Sequence, residues 1–133
     1  MTIRYGFRTP LDVPFETALD KTIAALKEEG FGVLAQIDMS GTLKKKLDVD
    51  FPRYTVLAAC NPPLAHRALQ TEIDIGLLIP CNVAVYEVGE GKSVVSIIDP
   101  ATIIDVVGHN NLDDVVTEVK ARLLNVAQAL RAG

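Results

Sequence analysis

Two amphipathic stripes, one near each end of the chain, bracket a strand-rich middle, and this arrangement limits the possible folds more than any other feature. Phe15, Leu19, Ile23 and Leu26 recur at helical spacing, with Glu16, Asp20, Lys27 and Glu28 largely opposite. Asp12-Val13-Pro14 supplies the polar residue and proline of a helix start, and Gly30 offers a left-handed stop. Leu112, Val115, Val116, Val119, Leu123, Val126 and Leu130 form the second stripe, with Asn111 as the expected cap. Asp113 and Asp114 near its start and Arg131 near its end suit the helix dipole. Helices that are apolar on one side need a surface to cover, and the segments between them offer a sheet face.

Residues 2–8 read as a short first strand. Residues 31–38 alternate Phe31, Val33, Ala35 and Ile37 on one face, and residues 53–60 follow Pro52 as another strand. Residues 81–88 and 92–99 flank Gly89-Glu90-Gly91, a three-residue connection suited to an antiparallel hairpin. Between these strands, Ser40 is expected to cap a short helix over 41–47, and Asn61 one that starts at Pro62-Pro63 and extends towards Glu72. No linker, low-complexity tract or long repeat divides the 133 residues, so a single α+β domain over 1–133 is expected.

Charge excludes one class of partner. With a formal net charge of −4 and Lys44-Lys45-Lys46 as the only consecutive basic run, the chain lacks a cationic field to neutralise a phosphate backbone, and no nucleic-acid partner is expected. Leu43 and Leu47 fall on one helical face with the lysines around the other, the pattern of a solvated face. No segment resembles the apolar core of a signal peptide and no eighteen apolar residues run together, so a cytoplasmic protein without a membrane partner is expected. Two cysteines are too few for a disulfide scaffold and are expected as thiols in a reducing compartment.

Those cysteines lie in two echoing segments, Cys60-Asn61-Pro62-Pro63 and Pro80-Cys81-Asn82-Val83. By Cys60-Asn61-Pro62, by the run Gly76-Leu77-Leu78-Ile79-Pro80-Cys81-Asn82-Val83, and by Leu43-Lys44-Lys45-Lys46-Leu47, the chain resembles the domain-of-unknown-function-302 family, over the span from the first helix to Asp99-Pro100. The resemblance implies a two-layer α+β sandwich similar to the TATA-binding-protein-like fold, mainly antiparallel, in β-α-β-β-β-β-α order with short inserted helices. It brings no activity, and fold alone carries no DNA binding across.

The implied fold makes the strands ending at Cys60 and beginning at Cys81 antiparallel neighbours, with both cysteines at one sheet end. A crossover helix between parallel strands would instead separate them by ~15 Å. Together they admit a thiol-dependent redox or sulfur-handling enzyme, with Cys60 as nucleophile beside a helix N-terminus and Cys81 as resolving thiol. His66 or Arg67 would then add positive charge, although Pro62 and Pro63 remove two N–H groups from that turn. Buried structural thiols are the plainer alternative.

Asn61 and Asn82 read either as caps or as amides orienting a small ligand together with His66 and Arg67. Cys60, Cys81, His66 and His109 lack the close pairs of familiar zinc sites, so no metal and no cofactor is expected. Asp99, Asp105 and His109 invite an acid–base reading, which a turn and helix cap over Gly108-His109-Asn110-Asn111 explain equally. The expected function is a domain that binds a small molecule or a protein at the Cys-Asn sheet end. The alternatives are the thiol enzyme and a structural homodimer module, and the chain itself is expected to form a homodimer through an apolar sheet surface or part of a long helix.

Overall fold

A computed structural model describes residues 2–108 and 111–133. The chain runs β1 (Thr2–Ile3), β2 (Gly6–Leu11), α1 (Phe15–Glu28), β3 (Gly32–Asp38), α2 (Met39–Leu47), β4 (Tyr54–Cys60) and α3 (Pro62–Thr71). A 3-10 turn (Ile73–Leu77), β5 (Cys81–Gly89), β6 (Lys92–Ile98), α4 (Ala101–Val107) and α5 (Asp113–Ala132) complete it. The six strands form one sheet in the order β1-β2-β6-β5-β4-β3, with every neighbouring pair antiparallel. Setting aside β1 and the inserted helices, the order is the expected β-α-β-β-β-β-α.

Strand alternation sends one set of side chains under α1 and α5. Leu57, Val83, Val85, Val95 and Ile97 from the sheet meet Ala18, Leu26, Leu123, Val126 and Ala127 from the helices, all fully or almost fully buried. The first helix ends as its glycine implies. Gly30 takes φ +83°, its N–H donates to the Lys27 carbonyl, and the Phe31 N–H reaches back to the Leu26 carbonyl. That pair of reversed bonds is the Schellman stop, and Phe31 and Leu26 both lie in the core beneath it.

Several local expectations are corrected. The first strand divides into β1 and β2, and β2 continues through Pro10, which a strand tolerates where it has a neighbour on one side only. Asp38 rather than Ser40 caps α2: its carboxylate accepts from the Gly41 N–H at 2.9 Å and from the Ser40 hydroxyl at 2.8 Å. These bonds hold the Asp38 carboxyl below its ordinary pKa. Lys44, Lys45 and Lys46 are exposed, as a solvated face implies, while Leu43 is half-buried and Leu47 exposed.

In the β5–β6 hairpin, Gly89 pairs with Lys92, leaving a two-residue turn in which Gly91 takes φ +71°. Leu112, not Asn111, occupies the cap position of α5, and Asn111 sits at φ 62°. His109, and with it the acid–base reading of that segment, lies outside the described residues. Asp99 is engaged structurally, accepting from the Ala101 N–H at 2.9 Å and pairing with Lys120 at 3.3 Å.

Candidate functional site

β4 and β5 pair so that Ala59 stands opposite Cys81, which places Cys60 one residue past that pair at the same end of the sheet. The intervening α3 and 3-10 turn are an excursion from this edge, and the expected shared end is present. The excursion does not lie flat. Leu64 and Ala68 of α3, Ile75 of the turn, Ile103 of α4 and Leu112, Val115 and Val116 of α5 build a second apolar cluster beside the main core.

Between the two clusters lies a cavity of about 250 Å³. Ala59, Cys60, Asn61 and Cys81 form its sheet-end wall, Leu64, Ala65 and Ala68 one helical wall, and Ile103, Leu112, Val115 and Val116 the other. Among the described residues, none that lines it carries a formal charge, and Phe31 is the only aromatic ring. Among the described residues, no three side chains of the kinds that ligate metals cluster here or elsewhere.

Cys81 is buried and Cys60 half-buried, and neither is disulfide-bonded. Burial pushes the Cys60 thiol up. Cys81 is raised to about 11, first by burial and then by the neighbouring Cys60. Both shifts oppose the activation that a nucleophilic cysteine needs. His66 and Arg67, expected to supply positive charge, are exposed on α3 and do not line the cavity.

The two asparagines part company. The Asn61 side chain accepts from the Leu64 N–H at 3.3 Å as the α3 cap, and its amide donates to the Glu29 carbonyl at 3.5 Å. The same carbonyl accepts from Arg122 Nη1 at 3.0 Å, so this junction ties the end of α1 to α3 and α5. Asn82 is exposed opposite Ala58 and belongs to the face without helices, because Cys81 beside it points into the core. The structure therefore brings together Cys60, Asn61 and Cys81, and leaves out His66, Arg67 and Asn82. The residues that complete the cavity come from α4 and the start of α5, whose apolar periodicity was visible in the sequence only for α5.

Gly30 closes the junction. A Cβ there would approach the Asn61 amide nitrogen to 2.9 Å, in a backbone conformation that L-residues adopt at a cost. Gly30→Ala is expected to destabilise the protein by ~1–2 kcal/mol from its left-handed conformation alone, and more if Asn61 is displaced, as urea unfolding will measure.

A family model described as domain of unknown function DUF302 matches residues 7–130. A search of curated proteins finds no match. Among solved structures, the chain is similar to an uncharacterised conserved DUF302 protein from Bacillus stearothermophilus, with a TM-score of 0.87 at 24% identity, covering 97% of this chain and 100% of that one. At that identity the likeness speaks to the fold, while the family model spans nearly all of the sheet and both long helices. The chain therefore belongs to the DUF302 family.

Proposed function

We propose that this domain binds a small, uncharged, apolar molecule in the cavity at the Cys60–Cys81 sheet end. The observation that carries the reading is the cavity itself: about 250 Å³, lined by aliphatic side chains, with Asn61 and two thiols as the only polar side-chain groups among the described residues that line it. An engineered apolar cavity of ~150 Å³ binds benzene, whereas drug-sized ligands occupy ~300–1,000 Å³. The expected ligand lies between these. With no cation among the described residues of its walls, the cavity offers a carboxylate or phosphate head little to pair with, and burying such a charge unpaired is costly. Aliphatic walls with one ring favour a short alkyl or branched hydrocarbon group over a stacked planar one.

On this reading the thiols are walls of the site, and their neutral form suits an apolar ligand. A reducing compartment such as the cytoplasm would keep them so. The thiol-enzyme alternative has the proximity of the two cysteines in its favour and the upward displacement of both thiols against it.

The test is calorimetric titration of the protein with toluene and butylbenzene, beside benzoate as the charged counterpart. The neutral compounds are expected to bind and benzoate not to. Ala68→Phe, which places a ring where a buried methyl now lines the cavity, is expected to weaken neutral-ligand binding at least tenfold, and Ala65→Phe at the half-buried neighbouring turn to do the same. Neutral-ligand affinity unchanged in both folded variants would place binding elsewhere.

A further inference from the structure

Helices α1 and α5 pack on one side of the sheet. On the other side, Val56 and Ala58 of β4, Ala84 and Tyr86 of β5, and Val94 and Ile98 of β6 present a mainly apolar surface in which Asn82 and Ser96 are the polar members of the same strands. Tyr54 stacks on Tyr86 with ring centroids 5.3 Å apart, and Phe51 meets Tyr54 edge-on at 6.2 Å, extending the surface beyond the strands. A shallow depression runs across it from Ile3 and Tyr5 to Tyr54 and Tyr86, and among the described residues Arg8 is the only formally charged one lining it.

From this surface we infer that a second copy of the chain docks face to face, sheet on sheet. Its width selects the occupant. Five long strands ~4.8 Å apart make a face roughly 20 Å across, whereas one helix with its side chains is ~10 Å wide. The opposite face takes two helices, of 14 and 20 residues, to cover it. A single docked helix would leave about half of this one bare.

Strands of six to nine residues give the face a length of roughly 20–30 Å, hence ~500 Å² of flat area before side-chain relief is added. That scale approaches the ~800 Å² per partner of a stable interface. Gly6, Ala58, Ala84 and Ser96 keep the middle low enough for sheets to approach to ~10 Å. One arginine on an otherwise uncharged depression, in a chain of net charge −4, disfavours a nucleic acid or an anionic membrane as occupant. A second copy brings the same width and the same apolar character.

Sedimentation equilibrium from 1 to 100 μM tests this. The wild type is expected at twice the 14.4 kDa chain mass. Asn82→Arg, at a side chain already exposed, and Ala84→Arg beside it are each expected to raise the dimer dissociation constant at least tenfold while far-UV circular dichroism stays native. Leu124→Arg, on the exposed side of α5, is expected to leave the mass unchanged. A wild type that stays monomeric at 100 μM overturns the inference. So does a dimer that survives both sheet-face variants, or one that only Leu124→Arg dissociates. Asn82→Arg decides the matter alone if Ala84→Arg fails to fold.

Discussion

Leu57→Ala is expected to lower the free energy of unfolding by ~3–4 kcal/mol, a large share of the 5–15 kcal/mol usual for a domain of this size. Leu57 is 0% exposed, stands opposite Val83 in the β4–β5 ladder, and packs in the cluster beneath α1 and α5. Truncation removes buried methyl groups and leaves a void in tightly packed surroundings. Because β4 has neighbours on both sides, the strand has little freedom to collapse into that void. Urea unfolding monitored by circular dichroism will read the loss as a lower midpoint with the slope unchanged. A cost below ~1 kcal/mol would mean that the main core does not depend on the β4–β5 pair that frames the cavity.

The second large effect is alkaline. The Cys81 thiol stands near 9.0 when exposed and at about 11 in the folded protein, because burial disfavours the thiolate. A raised folded value means that the native state holds its proton more tightly than the unfolded chain. Its contribution is fully present below pH 9 and is lost as pH rises towards 11, amounting to ~2–3 kcal/mol at the upper end. Lysines and tyrosines titrate in the same range, so the decisive quantity is the difference between wild type and Cys81→Ala. The variant is expected to show the shallower fall in stability between pH 8.5 and 11, whereas Cys60→Ser, at the half-buried position, keeps most of the slope. Alkylation followed by mass spectrometry supplies a second readout at pH 8: Cys60 should react more slowly in the native than in the unfolded protein, and Cys81 more slowly still. Rapid native labelling of Cys81 would contradict the burial on which both expectations rest.

How far the sequence reached depends on the range of the physical signal. The two long helices, the Gly30 stop, the Asn61 cap and the β5–β6 hairpin all follow from periodicity or turn chemistry within a few residues, where steric and hydrogen-bonding preferences act directly on the chain. Several widely spaced motifs also carried the family resemblance, and with it the antiparallel order that sets Cys60 beside Cys81.

What escaped was set at longer range. The α4 helix is seven residues long, too short to show an apolar stripe, and is held by the Asp99 carboxylate and by contact with α5. The repeated Cys-Asn dipeptide looks like one element used twice, but one copy ends a strand and the other begins one. Asn61 therefore turns into a helix cap, while Asn82 follows the pleat and points away from its neighbour Cys81.

The cavity is a product of tertiary structure alone, since its walls come from the sheet end and from helices on either side of β5 and β6. Sequence determined which segments are helix and strand, because those choices rest on neighbours three or four residues away. Tertiary packing decided which side chains face one another, because that depends on register between segments far apart in the chain.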